Sequence, residues 1–130
     1  MSSIFTKIIN GEIPSYKIAE NEQFLAILDA FPLVKGHVLV VPKKEIDYIF
    51  DLDNQLLSDL FLFAKSIAPA LKKAVPCKRI GLSVIGLEVP HAHVHMVPMN
   101  SANDLNFTLP KIKVEASEME NICKKIKSFL

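Results

Sequence analysis

The chain reads as an α+β protein with a mainly antiparallel sheet of about five strands, one long helix and a C-terminal helix. Three observations predict this. Five short segments, rich in β-branched and other apolar residues, are bounded by glycine, proline or polar turns, as strands are. Two longer segments repeat apolar residues every three or four positions, as helices do. The strand segments are neighbours along the chain and the helices stand apart from them, unlike the strict alternation of a parallel β-α-β sheet. At 130 residues the chain has the length of one domain, and 1–130 is expected to form a single unit.

The elements follow in order. Ser2 or Ser3 caps a short helix whose apolar face is Ile4, Phe5, Ile8 and Ile9, and Asn10-Gly11 ends it. Tyr16 to Ala19 and Phe24 to Leu28 read as strands joined by the turn Glu20-Asn21-Glu22. His37-Val-Leu-Val-Val41, between Gly36 and Pro42, reads as a buried strand. Asp53 caps a long helix to about Ala74, with a stripe of Leu56, Leu57, Leu60, Phe61, Ala64, Ile67, Ala68 and Leu71. Pro69 falls inside that stripe and is expected to kink it. Leu62 and Phe63 lie off the stripe, so the helix is apolar on more than one face and calls for a second cover, such as another subunit. Arg79 to Ile85 and His91 to Pro98 read as strands, and Asn100 to Asn106 as a polar loop. Ser117-Glu-Met-Glu120 is a capping box opening the last helix, whose face is Met119, Ile122, Cys123, Ile126 and Phe129.

Composition narrows the function. Half the residues are hydrophobic, 22% are charged and the net charge is +1. Disorder is excluded, and no broad positive field exists for nucleic acid. Arg79 is the only arginine among 15 basic residues. An anionic substrate must therefore be held by histidine, lysine or backbone N–H groups. Cys77 and Cys123 form no Cys-x-x-Cys pair and read as reduced thiols. The first eleven residues lack the charge and apolar run of a signal peptide, and no segment reaches the length of a membrane span. A cytoplasmic location is expected.

Three of the four histidines, His91, His93 and His95, fall within five residues. On a strand they project to one face, while Ala92, Val94 and Met96 project to the other. Stacking three polar rings on one face has no packing rationale. Two chemistries suit the row. It can ligate zinc, with His37 as a further ligand. Alternatively, one neutral imidazole attacks phosphorus while its neighbours bind the phosphoryl oxygens.

The segment His91-Ala-His-Val-His-Met-Val97 resembles the signature of the histidine triad (HIT) family of nucleotide hydrolases and transferases. Ile4 to Pro14, Phe24 to Asp29 and Gly36 to Lys43 are similar to further family segments, in the family's order. The resemblance implies a HIT-like fold and a two-fold dimer with a sheet continuous between subunits. It implies that His93 attacks the α-phosphorus of a nucleotide and forms a covalent nucleotidyl-imidazole that water cleaves. His91 and His95 match the flanking residues, and His37 the fourth histidine of the phosphate site. Asp29 matches the residue that binds the ribose hydroxyls; Phe5, Ile8, Ile13 and Ile27 match the apolar positions around the base. No cofactor or metal is expected, and the partner is a small nucleotide. The chain departs from the family near the leaving group: the stretch Ser83 to Pro90 is shorter than the family's, Glu88 replaces a neutral hydroxyl, and Met99-Asn100 stands where an arginine is common. An uncharged or cationic leaving group, as in a phosphoramidate, is thereby favoured. Two further readings remain beside this one, a zinc hydrolase on the same histidines and a nucleotide- or partner-binding module with little turnover.

Overall fold

The computed structural model describes residues 2–130. Its elements are helix α1 (Ile4–Ile9), strands β1 (Lys17–Glu20), β2 (Phe24–Leu28) and β3 (Val38–Pro42), helix α2 (Asn54–Ala74), strands β4 (Arg79–Ser83) and β5 (Val94–Met99), and helix α3 (Ala116–Ser128). The strands form one sheet in the order β1-β2-β3-β5-β4, with every pairing antiparallel. This is the α+β architecture expected from the sequence.

Local chemistry explains the element ends. Ser3 is the cap of α1, its Oγ accepting the Thr6 N–H. Asp53 caps α2 through the Leu56 N–H. Pro69 lies inside α2, which nevertheless runs as one helix; Pro69 is on the exposed side, where water can serve the carbonyl that loses its partner. The last helix begins at Ala116 with Glu115 as its cap and no side-chain cap bond. Ser117 is therefore inside the helix, and the expected Ser117–Glu120 box does not form.

The sheet separates two apolar layers. Phe24, Ala26, Leu28, Val38, Val40, Val94 and Met96 point to one side and pack against Leu60, Ile67 and Leu71 of α2 and Ile126 of α3. Each large side chain buried there contributes about 1.5–3 kcal/mol. Leu25, Ile27, Leu39 and Val41 point to the other side and pack with Phe5 of α1. Phe61, expected in the buried stripe of α2, is exposed with Leu62, whereas Phe63 packs on Phe24 with ring centres 5.5 Å apart. β4 is an edge strand bonded only to β5.

Candidate active site

The histidine row lies on the α1 side of the sheet. Leu39 on β3 pairs with His95 on β5, and Val40 with Val94. The hydrogen-bonded strand starts at Val94, so His91 and His93 precede it rather than belonging to it. Their backbone is held differently: the Ala92 N–H donates to the Ile46 carbonyl at 2.7 Å. The expected alternation nonetheless persists, because Ala92, Val94 and Met96 enter the layer under α2. Phe5 packs edge-on against His91 and His93, with ring centres 5.7 and 4.9 Å away. His93 and His95 are 4.8 Å apart, centre to centre.

Hydrogen-bond partners, three of them main-chain groups, determine which ring nitrogen carries each proton. The Leu33 N–H donates to His37 Nδ1 at 3.0 Å, so the proton of a neutral His37 is on Nε2. That Nε2–H lies 2.9 Å from His95 Nδ1 and donates to it. His95 must then carry its own proton on Nε2. His93 Nδ1 is 2.7 Å from the His91 carbonyl, which can only accept, so His93 is protonated there and its Nε2 keeps a free lone pair. His91 Nε2 donates to the Pro42 carbonyl at 2.7 Å, and its Nδ1 accepts from Ser3 Oγ at 2.7 Å. Both nitrogens of His91 are thus engaged, and the residue is fully buried.

Burial disfavours the charged form of His37, His93 and His95. It lowers His95 to about 3, helped by the nearby charges of His93, His37 and Lys111. It lowers His37 to about 4, with Lys111 and His93 adding to the effect. His93 is also lowered, chiefly by burial, although its bond to the His91 carbonyl opposes this. Asp29 moves the other way: burial raises it, Glu88 adds to the rise, and the Phe31 N–H and Lys111 counter it. Asp29 Oδ2 is 3.6 Å from His37 Nε2. With His37 neutral, that approach is a carboxyl beside an imidazole, not an ion pair.

Asp29, His37 and His95 offer three donor atoms within 4.8 Å of one another. They do not fit a metal as they stand. The nitrogen of His37 that faces the group carries a proton, and moving that proton to Nδ1 would set it against the Leu33 N–H. The zinc alternative therefore requires breaking a buried hydrogen bond.

The expected base-site residues are divided. Phe5 and Ile27 are buried in one cluster, with Ile8 packed against it. Ile13 is half-buried and outside that cluster. Glu88 is exposed, and its charge reaches Asp29. Sequence reasoning missed the second task of Ser3, the Leu33 N–H, the Pro42 carbonyl and Phe107, whose ring lies 4.7 Å from that of His95. Phe107 had one signal: it is the only aromatic residue in the polar stretch 100–113.

Imidazoles mounted beside a carboxyl on an antiparallel sheet, one of them with a free ring lone pair, form a cluster with the donors and acceptors that hydrolase chemistry uses. The comparisons make the class particular. The model of the HIT domain matches residues 10–102, and the chain belongs to the HIT family. A HIT-like protein of Mycoplasma genitalium is 43% identical over 104 residues, covering 75% of this chain and 72% of its own. The adenosine 5'-monophosphoramidase of Schizosaccharomyces pombe is 30% identical over 130 residues, or 98% of each chain. Among solved structures, a HIT-like protein of Bartonella henselae superposes with a TM-score of 0.86 at 30% identity, covering 99% of this chain and 96% of that one.

Proposed function

We propose that this protein hydrolyses nucleoside phosphoramidates at the α-phosphorus, through a covalent nucleotidyl group on His93, and releases a nucleoside monophosphate. The observation that carries the reading is the free Nε2 lone pair of His93 next to the His95 ring, whose Nε2 carries a proton. The kinship with a monophosphoramidase supports it.

In the first step His93 Nε2 attacks phosphorus, the bond from phosphorus to the leaving nitrogen breaks, and the amine departs with a proton from solvent. The ring gains positive charge, which the His91 carbonyl stabilises by accepting the Nδ1–H bond. The Nε2–H of His95 donates to a phosphoryl oxygen. Water then attacks phosphorus, the bond to Nε2 breaks, the proton of the attacking water passes to solvent, and neutral His93 returns with the monophosphate released. Asp29 takes the ribose hydroxyls. Phe5 and Ile27 hold the floor of the nucleoside site, Ile8 and Ile13 its wall, and Glu88 stands at the leaving-group rim.

The reading includes a single domain over 1–130, a cytoplasmic location consistent with the free thiols of Cys77 and Cys123, and a two-fold dimer. No described helix is long and apolar enough to cross a membrane. For the dimer speak the edge position of β4 and a groove of about 590 Å³ on α2 between Leu57, Phe61, Leu62 and Lys65. The test is a panel of nucleoside phosphoramidates and dinucleoside polyphosphates, assayed for released monophosphate with wild type and His93→Ala. Release by wild type and none by the variant is expected. Nucleotide binding without release would replace the enzyme by a binding module, and release by His93→Ala would remove His93 as the nucleophile.

A further inference from the structure

The segment after β5 crosses the histidine row, and two of its residues have no part in the chemistry above. The Phe107 ring lies 4.7 Å from that of His95 and 6.2 Å from that of His37. The Lys111 ammonium sits 5.0 Å from the centre of the Phe107 ring. The same aromatic ring thus neighbours this cation and the two imidazoles of the phosphate site. Its charge acts on Asp29, His37 and His95, and no other lysine or arginine acts on those three. Glu88 is the opposing charge that reaches Asp29. Among the described residues, Lys111 is in no ion pair.

The segment is tied down on both sides of Phe107. Asp104 accepts the N–H groups of Asn100 and Ser101 at 2.7 and 3.1 Å, and the Ile112 N–H donates to the Pro32 carbonyl at 2.9 Å. Lys111 is therefore delivered to the site by its neighbour's backbone bond, with its side chain exposed. Burial disfavours charge on His37, His93 and His95, so a phosphoryl group placed beside them calls for a cation from another element. The one arginine, Arg79, lies on the edge strand, paired with Met99.

We propose that Lys111 is a specificity-determining residue whose ammonium donates to a non-bridging oxygen of the phosphoryl group bound at His93 and His95, with Phe107 as the positioning residue that holds it there. The proposal rests on the nucleotide reading above. A cation–π contact open to water is weaker than a charge-assisted hydrogen bond to phosphate, so the ammonium exchanges the ring for the ligand. It thereby separates nucleotides from nucleosides.

The test is calorimetric binding of AMP, GMP, adenosine and guanosine to wild type, Lys111→Gln and Lys111→Arg at two ionic strengths. Lys111→Gln should weaken monophosphate binding roughly tenfold to a hundredfold, the scale of one charge-assisted hydrogen bond, and leave the nucleosides within about twofold. It should also flatten the salt dependence, and Lys111→Arg should keep most of the affinity. Because Lys111 is exposed, folding is preserved in both variants. Monophosphate binding by Lys111→Gln within about twofold of wild type, or an equal loss for nucleosides, would overturn the proposal while leaving the nucleotide reading intact. Wild type binding none of the four probes would overturn that reading and this proposal together.

Discussion

Acid should unfold this protein earlier than its carboxylates alone would allow. In the unfolded chain a histidine takes up its proton near pH 6.5, whereas the folded chain holds His37 at about 4 and His95 at about 3. Between these values the unfolded state binds more protons, so stability is full above pH 6.5 and falls as the pH drops toward 4. At pH 5 the interval is about 1.5 pH units, worth about 2 kcal/mol for each histidine at 1.36 kcal/mol per unit. The two share one hydrogen bond, so their joint loss is about 2–4 kcal/mol. Glu20 and Glu45 are lowered to about 2 and remain ionised at pH 5 in the folded state. Lys17 and Lys43 hold Glu20, and the Ser3 N–H and Thr6 hydroxyl hold Glu45. Asp29, raised by burial, works in the opposite direction and trims the loss. Urea unfolding at pH 7.5 and pH 5, followed by circular dichroism, should show the midpoint falling by about 1–2 M at an unchanged slope. His95→Asn should show a smaller fall. An equal midpoint at both pH values would refute the neutral row and the proton placement built on it.

Three other outcomes are expected. Ser3→Ala removes the cap of α1 and leaves the buried His91 Nδ1 without its donor, so it should cost about 2–3 kcal/mol in denaturant unfolding; a cost below about 0.5 kcal/mol would contradict the bond. Glu88→Gln should raise kcat/KM for a dinucleoside polyphosphate relative to a phosphoramidate by about fivefold, since a like charge at 4 Å in water costs about 1 kcal/mol. An unmoved ratio would free Glu88 of any part in choosing the leaving group. Light scattering at micromolar concentration should give twice the 14.5 kDa of the chain, and a clean monomer would contradict the dimer.

Much of this was legible before the structure, and the rest was hidden for physical reasons. Strand segments such as Phe24–Leu28 are marked by composition and by their flanking turns, and Asp53 announces α2. The row of histidines announces itself by its spacing, and Asp29 and His37 by the resemblance. What could not be read is long-range. Nothing at Ser3 says that its hydroxyl will meet His91, which is 88 residues away. Phe107 and Lys111 sit in a stretch without periodicity, and only folding brings them to His95. The start of β5 is not written in its own residues, because strand register depends on the partner: pairing with β3 begins where Val40 meets Val94. Phe61 and Phe63 exchanged roles because both lie at the border of the apolar stripe, where Phe24 decides which is covered.

The placement of protons in the site has a consequence for how the protein tolerates mutation. Three of the groups that set it, the Leu33 N–H and the carbonyls of Pro42 and His91, belong to the main chain. Exchanging the side chain at any of these positions leaves the group in place, and proline at position 33 is the one residue that would delete a donor. Drift in the gene can therefore alter the rings that do the chemistry, but it has almost no single step by which to rewrite which nitrogen is left open for attack.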